Sequence, residues 1–321
     1  MDFKIVSINE VDWDQFGKVT PYSIFSQPKV LKICIDTFEA DYRFAILSEN
    51  SEVKAYLPLV IQNRQIGMIG YYQDHDLFDF APLNYTELSH LVELVAHLRD
   101  WARSQNLELV LRELPLKIMR AIDSVEFVKE NDAIVPVCNI DMNLQAQEGK
   151  PIFKKKHRKE MRRKINRVNS EGIKYVIEIV TDDKLSAKAK FLEFFSKSPN
   201  DEKQKFIESK ASEYFSRLIE LEEVRLSVMR FNSEIVSVLL YFENNPYWHK
   251  DKAHRKVLYL YNMASDPEYY DYSPGLIHVN SVIMDVIKLG YDEFNFLRGA
   301  ERYKFEIGAN ACNWNVKLVS K

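Results

Sequence analysis

The residues best suited to chemistry cluster between positions 266 and 304. Tyr272-Ser273-Pro274-Gly275-Leu276 reads as the opening of a helix, with Ser at the N-cap and Pro at the first helical position. Free backbone N–H groups at such a start attract anions, and glycine lets a ligand approach the backbone closely. Asp266-Pro267-Glu268-Tyr269-Tyr270 precedes it. One helix length later come Phe294-Asn295-Phe296-Leu297-Arg298-Gly299 and Arg302-Tyr303-Lys304. Alone, Ser-Pro-Gly is an ordinary cap; its combination with the later residues is what sets this stretch apart.

A second cluster runs from Lys154 to Arg167, with nine Lys or Arg in fourteen residues and one acid, Glu160. Met161, Ile165 and Val168 recur at helical spacing, so the segment reads as a helix with one buried stripe and a cationic remainder. It suits a phosphate or polyanion: a nucleotide cofactor, RNA, or an anionic membrane surface. The alternative is a solvated helix paired with acidic groups of the first half. No aromatic stacking platform stands beside it, which weighs against RNA. Cys34, Cys138 and Cys312 are far apart, and the seven histidines form no ligand pattern, so neither a disulfide framework nor a metal site is expected.

The elements that must position these groups repeat. Residues 3–8 read as a strand, and Ser26 with Pro28 opens a helix. Residues 43–48 and 53–62 form a hairpin, 66–72 a strand, 73–85 a loop, 86–104 a helix and 107–111 a strand. In the second half, 191–221 is helical with a break near Pro199, and 224–231 and 234–242 form a hairpin. A strand at 257–264, a helix from Ser273 to about Leu289 stopped by Gly290, and a strand at 292–297 follow. Each half reads helix, hairpin, strand, helix, strand, which predicts a tandem repeat of a mixed α/β unit with partly parallel sheets flanked by helices; the alternative is one large mixed α/β domain with a chance echo. The expected domains are 1–150 and 151–321, with the seam near Asn143–Pro151.

Length and composition agree with about two globular domains. The 321 residues are 46% hydrophobic and 28% charged, which excludes disordered and collagen-like classes. Net charge is -3, yet residues 1–150 carry -9 and the rest +6, so the halves are expected to meet different partners, or each other. No apolar run reaches the ~20 residues of a membrane helix and no leader is visible at the N-terminus. No integral membrane segment and a cytoplasmic location are expected.

The spacing resembles the GNAT superfamily, in particular the cellulose-biosynthesis-type acyltransferases related to Fem-type aminoacyl transferases. The resemblance rests on Asp266-Pro267-Glu268-Tyr269, Ser273-Pro274-Gly275, Phe294-Asn295-Phe296, Arg298-Gly299 and Tyr303-Lys304. It extends to the basic helix with Arg158, Arg162, Arg163 and Gly172, and to Phe25-Ser26-Gln27-Pro28. Asn295 stands where an Asp is common, and Tyr247–Lys256 is a charged insert. The resemblance implies two GNAT-like units, the second binding acetyl-CoA or another acyl-CoA as cosubstrate. Its pantetheine would run along Tyr261, Asn262, Met263 and Ala264, and its pyrophosphate would meet Tyr272, Ser273, Pro274, Gly275 and Leu276. The first unit would lack a cofactor site, since Pro82-Leu83-Asn84 precedes its helix.

Acyl transfer to an amine needs a neutral amine, a polarised thioester and a proton for the departing thiolate. Tyr303, Tyr261 and His249 are the acid–base candidates; the Tyr303-Lys304 pair, with Arg298, is expected at the catalytic site, and Lys304 is a catalytic candidate whose role is left open. Asp266, Arg298 and Arg302 are candidates for binding the acceptor. Cys312, in an expected strand, has no activating partner and is not expected to be a nucleophile. The expected function is acyl-CoA-dependent N-acyl transfer to a sugar, peptide or small-molecule amine. A Fem-type ligase using aminoacyl-tRNA, and a non-catalytic binding protein that keeps the fold, are the alternatives.

Overall fold

The computed structural model describes residues 1–72, 75–122, 127–147, 152–181, 184–198, 210–243 and 255–320. Hairpins and their turns set the first sheet. Asn50 and Ser51 both take positive φ, as do Asn63 and Arg64. Two-residue hairpin turns need that conformation, and Asn tolerates it. Asp41–Glu49, Glu52–Gln62 and Gln65–Met68 therefore run antiparallel in succession, with Asp2–Ser7 on the outer edge. Leu91, Leu94, Val95, Leu98 and Ala102 form the buried face of the helix Leu88–Ser104, which packs on this sheet. The chain then returns as Glu108–Pro115, parallel to Gln65–Met68 at Gln65↔Glu108 and Ile66↔Leu109.

The second sheet repeats the plan. Val224–Phe231 and Glu234–Glu243 form a hairpin across Asn232, also at positive φ. Tyr175–Ile179, not foreseen from the sequence, adds to its outer side. Val257–Ser265 pairs antiparallel with Glu234–Glu243, and the helix Pro274–Lys288 packs on the sheet through Ile277, Val279, Val282, Ile283 and Val286. Gly290, at φ +69, ends that helix as expected. Glu293–Arg298 then lies parallel to Val257–Ser265. Short helices, Leu116–Ile122 and Arg302–Ile307, follow the two returning strands. The helix expected from Phe191 begins at Lys184, and its expected break at Pro199 lies outside the described residues.

The chain divides into two compact units. The first holds Met1–Pro136 and Asn313–Lys321, the second Val137–Asn244 and Arg255–Cys312. The expected seam at Asn143–Pro151 is therefore corrected to Pro136/Val137. Residues 137–141 end the strand Phe127–Asp141 and pair with Glu293–Arg298 of the second unit. The last strand, Asn310–Ser320, pairs with Glu108–Pro115 of the first. Strand pairing, rather than linker composition, fixes where each unit ends.

Candidate functional site

In the second unit, the parallel pairing of Val257–Ser265 with Glu293–Arg298 covers three positions, Val257↔Glu293, Leu258↔Phe294 and Tyr259↔Asn295. Beyond Tyr259 the strands are no longer paired. Two irregularities lie there. Opposite the hairpin partner, Leu240 faces Asn262 and Tyr241 faces Leu260, so Tyr261 is the extra residue of a β-bulge. On the other strand Leu297 takes φ 58, and its N–H donates to Asn295 Oδ1 at 2.8 Å. Asn295 also donates to Glu293 Oε1 at 2.8 Å. Both residues are buried, and Arg255 lies 3.4 Å from Glu293 and 2.8 Å from Asp141. An Asp at 295 would set two carboxylates side by side in the core, so the amide suits this strand.

The strand Val257–Ser265 leads through a short turn, Pro267–Tyr272, to the helix start. Asp266 caps that turn by accepting the Glu268 N–H at 3.1 Å. Ser273 takes the left-handed conformation, φ 55 and ψ 53. The N–H groups of Leu276 and Ile277 turn back to its carbonyl, at 3.1 and 3.2 Å. Pro274 has no N–H, and that of Gly275 has no acceptor among the described residues. From the basic helix, Lys155–Ser170, Lys164 donates to Ser273 Oγ at 2.7 Å. Arg167 donates to the Asp271 carbonyl at 3.1 Å and lies over the Tyr272 ring, 5.0 Å from its centre. The Tyr272 hydroxyl donates to Glu171, which raises its pKa. An N–H, a hydroxyl and an ammonium thus meet at the end of the strand whose parallel edge is open, a combination that holds anions.

Gly275 also has a packing role. A Cβ there would meet Met263 Sδ and Ser265 Oγ, each at 2.8 Å. The glycine brings helix and strand together. Below it lies a buried polar chain. His278 Nε2 is 2.7 Å from Ser227 Oγ, its Nδ1 is 3.1 Å from Ser237 Oγ, and Ser265 Oγ donates to Ser237 Oγ at 3.0 Å. Burial pushes the His278 pKa down to about 3, so the ring is neutral and sealed away.

The other expected residues fall in two groups. Asn262 is half-buried and accepts the Met263 N–H at 2.8 Å; Ala264 is buried opposite Val238. The Tyr261 hydroxyl lies 3.3 Å from that of Tyr214, on the helix Ala211–Leu218. Tyr303 packs edge-on against Phe296, with ring centres 6.1 Å apart. Burial pushes its pKa well above the ordinary tyrosine value, and Glu301 and Cys138 add to the rise. Lys304 is only 3% exposed. Its ammonium donates to the carbonyls of Phe296 at 3.1 Å and Arg298 at 2.6 Å, and pairs with Glu301 at 2.9 Å. It clamps the strand end, which the sequence reading did not anticipate. Arg302 extends into solvent and pairs with Glu306 at 2.7 Å. The Cys138 thiol donates to the Gly299 carbonyl at 3.4 Å, and burial raises its pKa. His249 lies outside the described residues, as does most of the charged insert, and nothing is described of the Cys312 side chain.

Lys155, Lys156, Arg158, Lys159, Arg162 and Arg163 are exposed and have no ion-pair partner among the described residues. Among the described residues, this helix forms ion pairs through Lys164 with Glu160 and Arg167 with Glu171, both acids of the second half. Among the described residues there is no cluster that could hold a metal ion, and no helix is long and apolar enough to cross a membrane. Lys164, Glu293 with Arg255, and the His278–serine chain were not singled out from the sequence.

A family model described as an acetyltransferase (GNAT) domain matches residues 155–305. No curated protein matches the chain significantly. A conserved protein of unknown function from Bacteroides thetaiotaomicron superposes with TM-score 0.64 at 14% identity, covering 100% of both chains. FemX superposes with TM-score 0.56 at 10% identity over 99% of this chain and 97% of its own. L-PGS from Bacillus licheniformis gives 0.55 at 11% over 92% and 91%. The fold is thus mixed α/β, with a second unit that matches the GNAT domain and a first unit built on the same order of elements.

Proposed function

We propose that the protein is an acyl-CoA-dependent N-acyltransferase. It transfers an acyl group, acetyl in the simplest case, directly to the amine of a sugar, peptide or small molecule. One observation carries the reading. The strand Val257–Ser265 leaves its parallel neighbour after Tyr259 and leads to a helix start where Gly275 N–H, Ser273 Oγ and Lys164 converge. An extended amide-bearing chain fits along an open strand edge, and a pyrophosphate fits at a cationic helix start.

In this reading Gly275, Ser273 and Lys164 hold the pyrophosphate, and residues 261–264 align the pantetheine. A coenzyme A thioester, when bound, supplies the activated acyl group. The raised pKa of Tyr303 keeps its hydroxyl protonated at neutral pH, so it suits donation of a proton to the leaving sulfur better than removal of one from the amine. Lys304 fixes the strand end from which the Arg302–Ile307 helix presents Tyr303. His278, neutral and enclosed, supports the helix start rather than acting as the base. Asp266 and Arg298 flank the same end of the sheet and are the groups proposed to meet the acceptor.

The exposed cations of the basic helix favour a second reading, an aminoacyl-tRNA-dependent ligase, since such a row suits a nucleic-acid backbone. Calorimetric titration with acetyl-CoA separates the two. The native chain is expected to bind, and Lys164→Glu to weaken binding tenfold or more. Gly275→Glu would be a poor test, because its side chain would displace Met263 and Ser265. Absence of acetyl-CoA binding, together with ribonuclease-sensitive transfer from aminoacyl-tRNA, would overturn the acyl-CoA reading.

A further inference from the structure

Beside the first turns of the basic helix lies a cleft of about 260 Å³. Lys154, Lys156 and His157 line one wall, and Arg302, Phe305 and Glu306 the other. Its two carboxylates are already engaged, Glu306 with Arg302 at 2.7 Å and Glu160 with Lys164 at 3.7 Å. Lys154 donates to the Phe305 carbonyl at 2.7 Å. Lys156 has no ion-pair partner among the described residues. His157 is 3% exposed. Its Nε2 lies 3.0 Å from Asn280 Oδ1, which leaves Nδ1 as an acceptor with no partner among the described residues.

At about 100° per residue, Lys155, Arg158, Lys159, Arg162 and Arg163 share one arc of the helix, and Lys156 ends that arc on the side of the cleft. The basic helix and the helix Pro274–Lys288 run antiparallel. His157 meets Asn280 where Lys164 meets Ser273, seven residues apart on each. At 1.5 Å per residue the cleft lies about 10 Å along the helix from its start.

We propose that this cleft receives the nucleoside 3′-phosphate end of a coenzyme A thioester. The inference rests on the acyl-CoA reading and adds a subsite to it. The volume falls just below that of pockets enclosing a whole drug-sized ligand, so it suits one nucleoside rather than the entire coenzyme. Phe305 offers a ring to the base, His157 Nδ1 accepts from an amino or hydroxyl group, and Lys156 meets the 3′-phosphate. The ribose bridges from there to the pyrophosphate at Ser273–Gly275.

The test is calorimetric titration of the full chain with acetyl-CoA and with its 3′-dephospho analogue, on the native protein, Lys156→Glu and Lys159→Glu. Both substitutions are on exposed side chains, and Lys159 points away from the cleft. The dephospho analogue is expected to bind at least tenfold more weakly. Lys156→Glu is expected to weaken acetyl-CoA tenfold and leave the analogue unchanged, while Lys159→Glu preserves the native ratio. Equal affinity for the two compounds, or equal weakening of both by Lys156→Glu, would overturn the subsite and leave the acyl-CoA reading standing. Failure of both compounds to bind would overturn the two together.

Discussion

Both units contain a parallel strand pair that separates after a few residues, and they treat the gap in opposite ways. In the first unit the pairing stops at Ile66↔Leu109, and the chain between strand and helix folds into the gap. Leu77, Phe78, Phe80, Ala81 and Leu83 are all buried, and the Ala81 N–H donates to the Glu113 carbonyl at 3.0 Å. Glu113 has the same left-handed backbone, φ 55, that Leu297 has in the second unit. Phe78 lies so close to Gly70, at φ +105, that a Cβ there would meet its ring at 2.3 Å. What remains is a void of about 20 Å³, room for one water. In the second unit the corresponding connection is the short turn Pro267–Tyr272, none of whose residues is buried. The charges at the two helix starts also differ: Glu87 precedes one, and Lys164 reaches the other. A repeated scaffold therefore keeps a candidate ligand cleft in one unit and fills it with its own chain in the other.

The sharpest way to break this comparison is through the strand beneath each gap. Register places Glu108 where the second unit has Glu293, and Val110 where it has Asn295. Glu108 is exposed and Glu293 is fully buried beside Arg255. Arg255→Met strips a buried carboxylate of a cationic partner, which should cost about 3–5 kcal/mol. Glu108→Gln in the first unit should stay within about 0.5 kcal/mol. Urea unfolding of both variants checks the contrast; equal midpoints would show that the second strand carries no greater electrostatic load than the first.

Acid should also separate the units. His278 is held neutral by burial, with a folded pKa of about 3 against 6.5 when exposed. As pH falls below 6.5 the unfolded chain takes up a proton that the folded one refuses, so stability is lost progressively toward pH 3. Between pH 7 and pH 5 the loss is about 2 kcal/mol. Relative to the intrinsic rate at each pH, amide protection at pH 5 should therefore fall first along Val224–Phe231, Glu234–Glu243 and Pro274–Lys288, and His278→Gln should remove most of that fall. Protection that falls equally in the first unit would assign the acid effect elsewhere.

What the sequence disclosed follows the range of the forces involved. The hairpins, the helices at 88–104 and 274–288 and the Gly290 stop are written in local periodicity and turn chemistry, and they were legible. So was the helix start at Ser273-Pro274, because Pro and Gly mark a helix start directly. Lys164 was visible only as one cation among nine. Which of them reaches Ser273 depends on how two helices pack, a contact spanning 109 residues. Nothing local in the sequence reveals that three carbonyls lie within reach of the Lys304 ammonium. The seam was misplaced for a similar reason. Polar composition marks a linker, but residues 137–141 belong to the second unit through a pairing with residues some 155 positions away.

The smallest expected effect asks whether charge or occupancy distinguishes the two helix starts. Glu87 is exposed at the N-cap position of Leu88–Ser104, where a carboxylate favours the helix dipole. Glu87→Lys should cost less than about 1 kcal/mol and give the first unit a cation like the one Lys164 supplies to the second. If charge alone made a phosphate site, the variant would gain a second acetyl-CoA equivalent in a titration. The packing of Phe78 and Ala81 argues that it will not, because the gap beside the helix is already filled by the chain. A stoichiometry that stays constant while urea stability falls slightly would locate the difference between the units in the 77–83 segment. A second equivalent would move it to the single residue at the helix start.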